Sequence, residues 1–267
     1  MAPEWSGRKV PPGTSGFPGE VLHMAEQDST GMARALPTGA TLGNAAAGVV
    51  ACALAANGHA ALGALMVLTA VLMDSMDGAM ARTFGVASDF GAELDSLADV
   101  ISFGVAPALI VGCLLPEGAR ALGWAMATFY VLCAVWRLAR FNVAQARAAG
   151  EHRSFAGLPS PGAGAAAVSA VLLTTRLSSS ASAVEAVLLP SVLLLLGALM
   201  VSHLPYRHLG GAISRLSPLG AAAAAALLIG AAVLWEYEHV FAAVMWAYVA
   251  SGPAEALRER VRALRHA

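Results

Sequence analysis

The chain is short of charge. Only 12% of its 267 residues are Asp, Glu, Lys or Arg, about half the roughly 25% of a soluble domain. With 58% hydrophobic residues and a mean hydropathy of +0.67, that deficit describes a polytopic membrane protein. It also lacks an excess of either sign. A net charge of −1 provides no basic field and argues against nucleic acid as a partner. Cysteine is scarce: Cys52, Cys113 and Cys133 all fall in apolar runs, with neither metal spacing nor a disulfide framework. They read as small lipid- or core-facing residues. The 7 histidines show no HxxH or HExxH spacing. No apolar h-region lies near Met1, so no cleavable signal peptide is expected. Residues 1–36 are rich in Gly, Pro and polar residues, and are expected to form a disordered cytosolic tail.

What the chain does have is long apolar runs. A helix needs about 20 apolar residues to cross a hydrocarbon core of about 30 Å. Eight stretches qualify, at about 38–56, 59–80, 96–115, 119–139, 162–177, 184–204, 218–235 and 239–252. The fifth and the last are short, as tilted, interfacial or bundle-edge helices are. The expected fold is an all-α polytopic membrane bundle of six to eight transmembrane helices, eight being favoured. Its membrane domain covers 37–253, followed by a basic cytosolic tail at 254–267. Arginines set the orientation. With the N-terminus in the cytosol, 14 Lys and Arg residues fall on that side and 2, Arg120 and Arg176, on the other. The outer loops instead carry Glu117, Glu185, Glu236 and Glu238.

Against this apolar background four carboxylates stand in register. Asp74 and Asp77 are i,i+3 neighbours, and Asp95 and Asp99 are i,i+4 neighbours, so each pair shares a helical face. The order of the spans puts both pairs at the cytosolic membrane face. Gly78, Ala81 and Gly91 are small where the pairs point. Two facing helices would then gather four anions around a small space, where they repel strongly at low dielectric. Hard divalent cations such as Mg²⁺, Mn²⁺ or Ca²⁺ relieve that repulsion. A two-metal carboxylate site beside Arg82 points to phosphoryl-type chemistry.

Three other stretches carry polar residues. Thr41, Asn44 and Gly48 share one face of the first span. In membranes that pattern either glues helices together or lines one wall of a nucleotide pocket. Trp136-Arg137-Leu-Ala-Arg140-Phe141-Asn142 closes span four and is followed by Phe155-Ala-Gly157-Leu158-Pro159. Terminal arginines there are either snorkelling anchors or ligands of an anion. Ser202-His203-Leu-Pro205-Tyr206-Arg207 closes span six and fits an interfacial belt as readily as a site.

The acidic stretch matches D-x2-D-G-x2-A-R-x8-G-x3-D-x3-D without a mismatch. On that match the chain resembles the CDP-alcohol phosphotransferases. The "RLARFN…F.GLP.P" stretch, the "LP…T.GN…G" opening and the "S…PY" close resemble the phosphatidylserine synthase branch of that family. The likeness covers roughly 36–210, and departs from the branch in Ser160, Pro161 and the "PYR" close. The resemblance implies transfer of phosphatidyl from CDP-diacylglycerol to L-serine, with release of CMP, by a homodimer in the inner membrane with its site on the cytosolic side. It implies that Asp74, Asp77 and Asp95 bind two divalent cations, Mg²⁺ or Mn²⁺, and that Asp99 faces the metals and is the general base. Gly78, Ala81 and Arg82 belong to the nucleotide half of the motif, with Thr41 and Asn44 as the pocket wall. For the acceptor's carboxylate, position alone nominates Arg137 and Arg140, with Arg207 behind them. Synthases for phosphatidylglycerol phosphate, inositol phosphate lipids or phosphatidylcholine share the acidic motif. An ion-coupled transporter is the reading from another class, since intramembrane acids also make ion pathways, but no internal repeat supports it.

Overall fold

The computed structural model describes residues 38–84, 89–147, 157–177, 182–206 and 237–266. Every extended element among them is helical, as a chain in lipid requires when its backbone must satisfy its own hydrogen bonds. In chain order these are α1 (Thr38–Ala56), α2 (Ala60–Phe84) and α3 (Asp89–Asp99). A π-helical stretch (Val100–Val105) continues α3 into α4 (Ala106–Leu114). A short 3-10 turn (Glu117–Ala119) leads into α5 (Arg120–Arg147), followed by α6 (Ser160–Leu177), α7 (Ser182–Val201) and α8 (Tyr237–His266).

Seven of the eight expected spans are helices among the described residues. The eighth, at 218–235, lies outside them, as do the expected tail at 1–36 and Arg207. Among the described residues, five helical stretches are long and apolar enough to cross a membrane: Thr38–Ala56, Ala60–Gly78, Phe90–Leu114, Glu117–Ala144 and Glu238–Leu264. The apolar parts of α6 and α7 are shorter, at Ser160–Thr175 and Ala186–Val201. Several helices outrun the apolar windows. The third begins at Asp89 rather than near 96, α5 runs to Arg147, and α8 runs through Pro253 to His266.

Small residues set the packing. The α1–α2 turn closes on Gly58 at φ +82, with Asn57 Nδ2 donating to the Ala53 carbonyl at 2.7 Å, a glycine helix stop. The centre of the bundle is α6, whose Ala163, Ala165, Ala166, Ala167 and Val168 are all buried. Its small side chains let α2, α7, α8 and the π stretch approach closely. A Cβ on Gly164 would sit 3.2 Å from the Phe103 backbone, and one on Gly48 would sit 2.8 Å from the Ser102 backbone. The π stretch is therefore wedged between α1 and α6.

Pro107, Pro190 and Pro253 fall within helical runs, and at the first and last of them the freed carbonyl is served the same way. Pro107 has no N–H for the carbonyl four residues back, which is that of Phe103. The hydroxyl of fully buried Tyr130 donates to this carbonyl at 2.8 Å. Pro253 likewise has no N–H for the Val249 carbonyl, and the Tyr206 hydroxyl donates to it at 3.0 Å. Gly252 makes room for the Tyr206 ring, which an added Cβ would strike.

Candidate active site

The polar groups gather at one end of the bundle. The start of α1, the ends of α2, α3 and α5, and the start of α6 meet there. Oxygens of Asp74, Asp95 and Asp99 all lie within 4.8 Å of one another. The i,i+4 spacing delivers Asp95 and Asp99 from one helical face, and Asp74 reaches them from α2. Asp77, one turn further along α2, is buried and accepts a hydrogen bond from Thr41 Oγ1 at 3.0 Å. It stands within electrostatic reach of both Asp74 and Asp95. Three of the four expected acids thus form one cluster, with the fourth beside it.

Helix α1 supplies the donors. Buried Asn44 donates from Nδ2 to Asp99 Oδ1 at 3.4 Å. Its own carbonyl accepts from Ser102 Oγ at 2.8 Å, one turn beyond Asp99. The shared face of Thr41 and Asn44 therefore does two things at once: it joins helices, and it orients acids. Two acceptors are left over. Asn44 Oδ1 and Asp95 Oδ1 are buried without a hydrogen-bond partner. A buried acceptor without a donor is costly, and a hard cation satisfies such oxygens. Three carboxylates, one of them with an orphaned oxygen, fit a divalent cation in their charge and hardness, with the orphaned Asn44 oxygen beside them.

Of the arginines whose side chains are described, Arg137 is nearest to this cluster in effect. It is buried, donates from Nη1 to Ser160 Oγ at 2.6 Å, and lies within electrostatic reach of Asp99, Asp74 and Tyr248. It makes no ion pair among the described residues. Arg140, one turn on, donates to the carbonyls of Val201 at 3.0 Å and of Met200 and Ser202 at 3.4 Å, closing the C-terminus of α7 as a cation should. Gly157, at φ +92, fits against the same turn, where a Cβ would run into the Met200 carbonyl. Gly78 lies on α2 just after Asp77. Ala81 and Arg82 follow on the same helix, but their side chains lie outside the described set.

Sequence reasoning gave no role to Ser102, Tyr130 and Tyr248, took Tyr206 only as part of a stretch fitting an interfacial belt or a site, and took Ser160 only as a variation. The partners of the two tyrosine hydroxyls were signalled by Pro107 and Pro253, each four residues beyond a carbonyl in need of a donor. Nothing in the sequence marks the contact of Ser160 with Arg137. Asn142 Nδ2, which closes the arginine stretch, donates to Ser96 Oγ at 3.0 Å and to Glu93 Oε2 at 3.4 Å. That contact ties α5 to the helix bearing Asp95 and Asp99.

Known sequences agree with this arrangement. A relative from Helicobacter pylori (strain ATCC 700392 / 26695), named CDP-diacylglycerol-serine O-phosphatidyltransferase, is 38% identical over 141 residues, 53% of this chain and 58% of its own length. One of the same name from Methanocaldococcus jannaschii is 37% identical over 142 residues, 53% of this chain and 61% of its own. An archaetidylserine synthase from Methanothermobacter thermautotrophicus is 35% identical over 179 residues, 66% of this chain and 71% of its own. The matched part thus spans less than two thirds of the Helicobacter relative. A sequence profile for the CDP-alcohol phosphatidyltransferases matches residues 34–202, which takes in all four acids, the α1 donors and Arg137. With that match over most of the chain, and the acids gathered in space as their spacing requires, the protein belongs to the CDP-alcohol phosphatidyltransferase family.

Proposed function

We propose that the protein transfers the phosphatidyl group of CDP-diacylglycerol to the hydroxyl of L-serine, giving phosphatidylserine and CMP. One observation carries the chemistry: carboxylates from two helix ends converge within 4.8 Å beside a buried arginine. The names of the relatives favour serine as acceptor. An ion-coupled transporter gains nothing from the family. The site faces the cytosol of the inner membrane in this reading, on the strength of the arginine split, and the assembly is the homodimer the family resemblance implies.

Asp74, Asp77 and Asp95 would hold two divalent cations, Mg²⁺ or Mn²⁺, with Asp99 facing them. When bound, such ions neutralise the donor's diphosphate and the charge that develops on departing CMP. The rest falls to side chains. A serine hydroxyl is a weak nucleophile at neutral pH, so a carboxylate must take its proton as it attacks. Asp99 is that base, and the Asn44 hydrogen bond to its Oδ1 fixes its orientation. The serine oxygen bonds to the phosphatidyl phosphorus. The bond from phosphorus to the CMP oxygen breaks, and CMP keeps the electron pair. Gly78 and Ala81 let the nucleotide approach α2, Thr41 and Asn44 wall its pocket, and Arg82 forks onto a phosphate. Arg137 receives the carboxylate of serine. Arg140 and Arg207 are further cations on that side, Arg140 already engaged with α7.

The test is CMP release by purified protein with CDP-diacylglycerol and a panel of alcohols. Release with L-serine, stopped by EDTA and restored by Mg²⁺ or Mn²⁺, is expected. Release with glycerol phosphate, inositol phosphate or choline in place of serine would replace the acceptor. Full activity in chelator would remove the metals. The Methanothermobacter name favours one variant, an archaetidyl donor with the same acceptor, and running both CDP-lipids side by side decides between them.

A further inference from the structure

The last helix outruns the membrane. At about 1.5 Å per residue, the 30 residues of Tyr237–His266 measure about 45 Å, against a hydrocarbon core of about 30 Å. Tyr248 lies within electrostatic reach of Arg137, so the helix reaches the acid-bearing end of the bundle at that level and then continues. Beyond Pro253, where a helix bends, it carries an apolar face that nothing covers among the described residues. Leu257 is 64% exposed, Val261 42% and Leu264 79%.

The charges around that face are sorted. Turning about 100° per residue, these three apolar side chains fall within roughly 60° of one another. Arg258 and Arg260 flank them on opposite sides, and Arg262 extends the first flank. Glu255 and Glu259 fall about 160° from Leu257 on either side, on the far face. A second copy of the helix is a poor occupant. With Leu257 and Leu264 at d and Val261 at a, arginines fill the flanking e and g positions, and a dimer would set like charges against each other. An anionic lipid surface matches the pattern: apolar groups down, Arg258 and Arg260 at headgroup level, acids toward water with Arg262 above the Arg258 flank.

We propose that residues 257–264 lie on the membrane leaflet at the active-site end and bind anionic lipid headgroups. The surface lies beyond the 34–202 region shared with the family, and the proposal stands whichever alcohol the enzyme uses. Each arginine at the surface is worth about fivefold in population. Hydrogen exchange on the full chain in lipid nanodiscs tests it, comparing phosphatidylcholine alone with phosphatidylcholine plus phosphatidylglycerol. Amides at 257–264 should exchange about tenfold more slowly or better in the anionic discs, and high salt should abolish the difference. The triple variant Arg258→Gln, Arg260→Gln, Arg262→Gln should lose it too, with exchange across 238–250 unchanged as the control for folding. Equal exchange in both discs overturns the proposal. So does protection that follows the number of protein copies per disc instead of lipid charge, which would assign the face to a second copy.

Discussion

At the scale of residues, the four acids do not stand alike. Asp99 accepts from Asn44 and belongs to the three-carboxylate cluster, whereas Asp77 is turned to Thr41. Removing the proposed base should therefore separate from removing a proposed ligand. Asp99→Asn should cost roughly 10²–10⁴ in rate and leave CDP-diacylglycerol binding largely intact. Asp77→Asn should weaken metal and donor binding together with turnover. Calorimetry of nucleotide binding with metal present, paired with single-turnover rates, reads both. Equal loss of donor binding in the two variants would mean one undivided metal site and no separate base. The acids were legible because their spacing is rigid: i,i+3 and i,i+4 on a helix leave no choice of face. Their donors were half legible, since Thr41 and Asn44 announce a face without saying what it meets. Ser160 was not legible at all, because its partner Arg137 is 23 positions away and no local pattern records a contact across two helices.

Among the elements, the repaired prolines are the most testable. Val249's carbonyl sits in a place with little water, so losing its only donor from outside the helix has a cost. Tyr206→Phe should lower stability by about 1–2 kcal/mol. Pro253→Ala returns an N–H to that carbonyl, and Tyr206→Phe should then cost much less in the alanine background. Unfolding midpoints of the four proteins in one detergent give the coupling. A Tyr206→Phe penalty that Pro253→Ala leaves unchanged would assign the tyrosine's effect to ring packing against Gly252 and Tyr248. Helix existence was readable from hydropathy, and α1 matches its expected limits of 38–56. Helix ends were not. Hydropathy records where lipid begins, and α3, α5 and α8 carry on into polar layers with charged residues aboard. The π stretch was invisible for a related reason: Val100–Val105 is as apolar as an α-helix would be, and what reveals it is backbone hydrogen bonding across five residues, Ala106 N–H to the Ile101 carbonyl.

For the molecule as a whole, orientation decides whether the site can meet a water-soluble nucleotide. In the orientation proposed from the 14-to-2 split of basic residues, the acid-bearing end of the bundle faces the cytosol. In a protein lacking Cys52, Cys113 and Cys133, Thr30→Cys and Val86→Cys should both react with an impermeant thiol reagent only when the cytosolic face is open to it. Labelling of both from the outer side alone would reverse the topology, and with it the route of CMP.

The hydrogen bonds between α1 and the acids also bear on how the protein is made. A chain grows from its N-terminus, so α1 enters the bilayer before any carboxylate has been synthesised. An aspartate raises the cost of inserting a lone helix, by about 2.5–3.5 kcal/mol at the helix centre and by less near the membrane face where these acids lie. Here Thr41 is already in lipid when Asp77 arrives, and Asn44 is there when Asp99 arrives. The same two side chains that hydrogen-bond the acids in the folded protein thus precede them in the chain, and the order of the helices along the gene puts each donor ahead of the acid it serves.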